Sequence, residues 1–428
     1  MARVGLRSER GRAAFPFKGV RGLWLPPDTT ADAGVLLTAR GVRAFADGFV
    51  SVLLPAYLLT LGFNAFQIGG VATATLIGSA ALTLVVGLIA HRFRSRQLLI
   101  SAAVLMVATG AGFVLVHDYW PLLVVAIIGT LNPSSGDVSV FLPLEQSTLT
   151  TSVSAKERTS LFARYSLVGS LLGATGALCA GLPDLIAARG SFNMTQSLQG
   201  MFVIYGVLGF IALLLYRRLS PALEEEHHKR APLKQSRRIV YTLAALFSLD
   251  SLGTGFAVQS LLALWLFERF NLALATAGTI FFWTGVLSAA SYLVAARLAN
   301  RIGLVNTMVF THLPSNLLLI LVPFMPTLPL AIALLLARYA LSQMDVPPRN
   351  SYVMAVVSPP ERPAAASITA VPRTVAAAIS PLASGYLLGI STFGWPLVVS
   401  GAVKGIYDLL LLAMFAKVRP PEEAEARG

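Results

Sequence analysis

Ionisable side chains stand where the surrounding sequence is apolar: Asp47, Asp137, Asp250, Arg338, Asp345, Arg373 and Lys404 all fall within long hydrophobic stretches. A charged group at the centre of a membrane helix costs about 2.5–3.5 kcal/mol on insertion scales, so such groups face water, cargo or one another. Spacing adds direction. Arg338, Ser342 and Asp345 are four and three residues apart and stack along one helical face. Arg349 continues that stripe only if the helix survives Pro347-Pro348. Thr130, Ser134 and Asp137 form a second stripe beside a break at Pro133, and Thr369, Arg373, Ser380 and Ser384 a third.

The chemistry these stripes offer is recognition of charge. A guanidinium binds a carboxylate or other anion through paired hydrogen bonds. Arg338, Asp345, Arg373 and Asp137 are therefore the candidate substrate-binding residues; the alternative is that Arg338 and Asp345 pair in a static network that fixes helix packing. Asp47 and Asp250 are candidate proton-coupling residues, because a carboxylate withdrawn from water can load and unload a proton as its surroundings change. The competing reading of Asp47 is an ion pair with Arg43 one turn earlier.

The chain also repeats itself. Pro143-Leu144-Glu145, with Glu157-Arg158 twelve residues on, is matched by Pro347-Pro348-Arg349 and Glu361-Arg362 about 204 residues later, and Gly181 and Gly385 keep the offset. Parallel repeats of this kind build two equivalent bundles around a central site. Glu145 and Arg349 hold matching places in the two copies, so a pseudo-two-fold axis sets opposite charges across from one another as a candidate gate. Aligning Gly48-Phe49 with Gly255-Phe256 puts Asp47 opposite Thr254 rather than Asp250.

Composition supports the elements these residues need. Of 428 residues, 55% are hydrophobic and only 12% charged, too little charge to cover a soluble surface of this size. A spanning helix takes about 20 apolar residues. Roughly twelve candidates run near 35–60, 68–90, 97–117, 121–145, 161–183 and 199–217, then 239–266, 273–297, 304–325, 328–348, 364–389 and 394–416. The expected fold is an all-α integral membrane protein with twelve transmembrane helices in two pseudo-symmetric six-helix bundles. Its parts are a tail at 1–33, a bundle at 34–217, a linker at 218–238, a bundle at 239–417 and a tail at 418–428.

The net charge of +13 follows the same plan. Twelve crossings place about 25 Lys and Arg on the side of both termini and only Arg189 and Arg269 on the other, which puts the termini in the cytoplasm. Basic residues in short loops without interleaved aromatics argue against nucleic acid. The first residues are basic and lack an apolar run before Val35, which reads as a cytoplasmic tail rather than a cleaved signal.

The turn Gly87-Leu-Ile-Ala-His91-Arg92-Phe-Arg94-Ser-Arg96 resembles the signature of the major facilitator superfamily: a glycine, three residues, an acidic residue, an arginine and a basic cluster. Ala296-Arg297-Leu-Ala-Asn300-Arg301-Ile-Gly303 resembles its second copy. Gly87, His91, Arg92 and Arg301 are the motif positions. His91 and Asn300 stand where the family has an acidic residue, which puts the usual cytoplasmic latch in doubt. Gly169-Ser-Leu-Leu-Gly173-Ala174-Thr-Gly176 partly resembles the family's antiporter motif, with Ala174 in place of proline; close helix packing is the alternative account.

The resemblance implies a twelve-helix secondary transporter of a bacterial inner (plasma) membrane. Helices 1, 4, 7 and 10 would line the cavity, and a small solute would move by alternating access, with proton-coupled export. The alternatives are an importer of a small anion or sugar acid, and a receptor or scaffold of the same fold. One chain already holds both bundles, so a monomer is expected. No His-Glu-x-x-His, glycine-rich nucleotide loop or Walker lysine occurs, and no enzyme, cofactor or metal is expected. Glu224-Glu225-Glu226-His227-His228 reads as a charged linker, Lys404 and Asp408 as a local pair, and His117 and His312 as interfacial residues.

Overall fold

The computed structural model describes residues 29–89, 93–134, 139–153, 158–190, 192–220, 236–357 and 361–415. His91, Arg92, Asp137 and the run at 224–228 lie outside them. All secondary structure among the described residues is helical. The first half contains α1 (Ala31–Thr60), α2 (Ala65–Ile89), α3 (Ser95–Leu115), α4 (Tyr119–Ile128), α5 (Phe141–Thr151), α6 (Arg158–Cys179), α7 (Leu182–Ala188) and α8 (Met194–Tyr216). The second contains α9 (Arg237–Phe256), α10 (Gln259–Phe270), α11 (Leu274–Ile302), α12 (Leu304–Leu321), α13 (Leu328–Ser342), α14 (Val346–Val356), α15 (Arg362–Ile390) and α16 (Trp395–Phe415).

Among the described residues, ten helical stretches are long and apolar enough to cross a membrane. The other two passes are the broken α4–α5 and the proline-containing α15, with Pro372 and Pro381 inside it. The fourth, seventh and tenth passes are each interrupted; the sequence marks the first of these breaks at Pro133 but suggests continuous helices at 239–266 and 328–348. The break before α14 has a local cause. The rings of Pro347 and Pro348 clash with carbonyls four residues back, at Gln343 and Met344, and the helix restarts with both prolines in its first turn.

The two halves pack alike. In the first, α1 lies against α6 and α8, and α3 against α8; in the second, α9 lies against α15 and α16, and α12 against α16. The register of the repeat is visible in the backbone. A Cβ on Gly48 would sit 2.0 Å from the Gly173 carbonyl oxygen, and one on Gly255 would sit 2.3 Å from that of Ala377. Close approach of this kind needs residues without side chains.

Where the halves meet decides the conformation. The end carrying both termini is tied within each half: Ser220 donates to Asp32 at 2.9 Å, and the backbone N–H of Ser236 donates to Glu361 at 3.0 Å. Contacts between halves, α2 with α15, α6 with α11 and α1 with α10, gather toward the opposite face. There Gly69 abuts Gly385, and the Asp184 carboxylate accepts the Ala275 backbone N–H at 2.9 Å, capping α11 from the other half. One apolar core runs the length of the first half and joins the second around Trp265, Leu319 and Leu335. Near the termini the second half has a separate core around Val240, Phe247, Met308, Tyr352 and Tyr407. Leu84, Val85 and Leu88 of α2 are exposed toward the terminal face, as are Leu293 and Val294 of α11. The close approaches between halves, Gly69 with Gly385, Gly278 with Ala177 and Asp184 with Ala275, all lie far from the termini.

Candidate functional site

Each half holds one buried charge network. In the first, Arg43 of α1 ion-pairs with Glu145 of α5 and donates through Nε to the Tyr216 hydroxyl at 3.0 Å. The Tyr216 hydroxyl donates to Glu145 at 2.5 Å, and the Tyr165 hydroxyl donates to the same carboxylate. The guanidinium lies 4.1 Å from the centre of the Phe141 ring. Glu145 and Arg43 are both fully buried. With three donors on one carboxylate, this network is satisfied as buried charge must be.

Asp47, one turn along α1, is buried and has Arg43, Arg40 and Glu145 as its charged neighbours. No hydrogen bond or ion pair reaches its carboxylate among the described residues. The pairing of Asp47 with Arg43 is thus replaced, because Arg43 is drawn to Glu145.

In the second half, Asp250 of α9 is the centre. Arg349 Nη1 donates to its Oδ2 at 2.9 Å, Lys404 Nζ to its Oδ1 at 3.1 Å, and His312 Nε2 lies 3.8 Å from Oδ1. Arg349 also reaches Asp345 at 3.5 Å, one turn earlier. His312 Nδ1 is 2.9 Å from Asp408, whose other oxygen accepts from Asn316 at 2.8 Å. Arg373, half-buried on α15, donates to Ser251 at 3.3 Å. Arg349 and Arg373 both lie over the Phe247 ring, at 5.7 and 5.9 Å. Three carboxylates therefore meet three permanent cations and one imidazole.

The two networks correspond. In the register of Gly48 and Gly255, Arg43 falls opposite Asp250, and the sequence repeat sets Glu145 opposite Arg349. The same bridge, first helix to fourth, recurs with its charges exchanged. In this conformation Glu145 and Arg349, the expected gate pair, do not meet; each is bound inside its own half.

Several other expectations change. Asp250, Asp345, Arg349 and Arg373, assigned to three roles, share one cluster. Lys404 and Asp408 do not form a local pair; Lys404 reaches Asp250, and Asp408 holds His312. His312 is buried rather than interfacial, whereas His117 is exposed beside Gln199, 2.8 Å away. A usable signal for the missed pairing was present: His312 and Asn316 are four residues apart, as are Lys404 and Asp408. Gly87 is exposed at the terminal end of α2, with no neighbour within 4 Å of its missing Cβ, and Arg301 is exposed at the end of α11.

Arg338 stands apart from both networks. It is buried on the inward stripe of α13 with Ala331, Leu335 and Ser342. Its guanidinium lies 4.6 Å from the Tyr339 ring centre and does not pair with Asp345. Among the described residues it makes no ion pair or side-chain hydrogen bond, and the Ser342 hydroxyl is likewise unsatisfied. Buried donors without partners are rare and costly, and they mark a place for a ligand or ordered water. No group of three metal-ligating side chains occurs among the described residues.

The family model described as Major Facilitator Superfamily matches residues 36–342 and 243–428. An uncharacterised membrane protein of Saccharomyces cerevisiae, YJR124C, is 24% identical over 423 residues, covering 90% of this chain and 94% of that protein. The solved structure of nucleoside transporter NupG superposes with a TM-score of 0.68 at 14% identity, over 90% of this chain and 99% of that one. A bacterial homologue of the human lysosomal transporter Spinster, inward-facing and unoccupied, gives 0.66 at 12% identity, over 91% and 96%. The human organic anion transporter MFSD10 (TETRAN) gives 0.64 at 14%, over 90% and 100%. These structural likenesses establish the fold.

Proposed function

The chain belongs to the major facilitator superfamily, a family of multi-pass secondary transporters, and from that premise we propose that it is a proton-coupled carrier of a small, anion-bearing solute. The observation that carries the reading is Arg338, a buried guanidinium without an ion pair or side-chain hydrogen bond among the described residues. An anionic group on the solute would complete its hydrogen bonding, with Ser342 one turn away and the Arg373 cluster in the same half. Asp47 and the Asp250 cluster supply groups that can exchange protons.

Two readings of direction remain distinct. Export drew on the glycines of the sixth helix, yet Gly173 meets the backbone of α1 at Gly48, which gives it a packing role. Uptake of a small anion or sugar acid is favoured by the unsatisfied donors. The positive-inside distribution supports a cytoplasmic terminal face, an inward-open conformation and insertion in the inner membrane. Two rocking halves in one chain support action as a monomer.

The test is a thermal-shift screen of the purified protein against sugar acids, small carboxylates, neutral sugars, amino acids and lipophilic cations. A solute at 100 times its Kd stabilises by about 2.7 kcal/mol. An anionic solute is expected to stabilise the native chain but not Arg338→Ala. That variant should itself unfold no earlier, since removing an unpaired buried charge costs little. Liposomes with an imposed pH gradient should then concentrate the solute. Stabilisation confined to neutral or cationic solutes would refute the anionic reading. Binding without flux would make the protein a receptor.

A further inference from the structure

His312 lies where α9, α12 and α16 converge, between two carboxylates on different helices. An ionised carboxylate only accepts hydrogen bonds. Asp408 takes one from Asn316 and one from the imidazole at Nδ1. Asn316 Nδ2 also lies 3.2 Å from Nδ1, but an ionised Asp408 at 2.9 Å holds the ring proton there, which turns the Nε2 lone pair toward Asp250, 3.8 Å away. A carboxylate that fixes a histidine's tautomer leaves the other nitrogen as the one that takes a proton.

We propose that His312, oriented by Asp408, is the group that carries the coupling proton, at Nε2. This rests on the proton-coupled reading above. The charged and titratable groups around the ring are Asp250 on α9, Lys404, Tyr407 and Asp408 on α16, Arg349 on α14 and Asp345 at its N-cap. Arg373 on α15 completes the set beyond Asp250. Arg338 on α13 approaches through its carbonyl, which accepts from Ser315, and the buried polar groups of α11 are the hydroxyls of Thr284, Ser288 and Ser291.

With His312 neutral, the cluster's three acids balance its three cations. A proton on Nε2 leaves one surplus positive charge, which a buried site does not tolerate without compensation. One negative charge on an incoming solute supplies it, and half-buried Arg373 is the member best placed to meet that charge. Proton loading and anion binding then favour one another. The proton comes from water at the open face and returns to water at the other, with no other bond made or broken. Loading also sets His312 in competition with Lys404 for the same oxygen of Asp250, which ties the proton to the packing of α9 against α12 and α16.

The test uses the full chain carrying Cys179→Ser, with spin labels at Leu88→Cys and Leu293→Cys, exposed positions on α2 and α11 near the terminal face. Distance distributions are recorded in lipid between about pH 5 and 8. The native background should change its open-to-closed ratio by up to tenfold per pH unit, the limit for one linked proton. His312→Gln should abolish that dependence, and His117→Gln, at an exposed histidine outside both charge networks, should retain it. Asp408→Asn should keep a transition but displace its midpoint toward acid, because an amide does not balance an imidazolium. Undiminished pH dependence in His312→Gln overturns the inference and leaves the carrier reading intact. Loss of the dependence in Asp47→Asn moves the proton site to the first half. A native chain without pH dependence refutes proton coupling and this inference together. Should His312→Gln not be recovered folded, an unmoved midpoint in Asp408→Asn overturns it.

Discussion

Replacing Gly69 by alanine should open the closed face without unfolding the protein. A Cβ at this position would lie 2.5 Å from the Pro381 carbonyl oxygen and 2.9 Å from the Gly385 Cα. Both neighbours are backbone atoms of the other half, so relief requires the halves to separate by several tenths of an ångström. Overpacking of this kind costs about 1–3 kcal/mol. The strain exists only while α2 and α15 are in contact. Alanine also favours a helix interior over glycine by roughly 0.5–1 kcal/mol, but this gain is equal in both conformations and cancels from their ratio. The expected shift is therefore about 5- to 150-fold toward the conformation parted at that face. Spin labels at Leu115→Cys and Ile390→Cys, exposed and in opposite halves, would report it in the Cys179→Ser background. Gly48→Ala is the control: its Cβ would strike the Gly173 carbonyl oxygen within the same half, at 2.0 Å. It should lower the melting temperature and leave the ratio unchanged. An unaltered distance distribution in Gly69→Ala, or an equal shift in Gly48→Ala, refutes the reasoning.

Other substitutions separate the roles of the remaining groups. Asp184→Ala removes the acceptor that caps α11 across the halves; the carboxylate is partly exposed, so about 1 kcal/mol, roughly a fivefold shift toward the same opening, is expected in the same label pair. No shift would mean the contact is incidental. Glu145→Ala strands the Arg43 guanidinium and should cost about 3–5 kcal/mol, read as loss of the folded protein on heating in detergent. A melting temperature within a degree or two of the native value would contradict a buried pair. Exchanging charges between Glu145 and Arg349 should give no recovery over the single variants, because each residue already has its partners within its own half. Recovered thermal stability in the exchanged protein would restore the direct pair.

The broad architecture was legible because membrane insertion is governed by local, one-dimensional properties. Apolar length selects the spans, loop charge orients them, and the 204-residue repeat divides them into two equal sets. The break at Pro133 and the restart of α14 at Pro347-Pro348 also follow from covalent geometry. The parting of α9 from α10 at Ala257 has no proline to announce it.

The charges were legible as anomalies but not as pairs. Helical spacing gives the face of a helix on which a residue stands; it does not say which helix arrives opposite. Lys404 and Asp408 look like a self-contained pair one turn apart, and only the approach of α9 and α12 sends one to Asp250 and the other to His312. Glu145 and Arg349 match by repeat, yet each is captured by nearer opposite charge in its own half. In a medium that does not solvate ions, a charge takes the closest well-placed partner. Sequence alone therefore determined that these groups must be compensated, and tertiary packing decided by whom; among the described residues, Arg338 and Asp47 are left without an ion pair or a side-chain hydrogen bond.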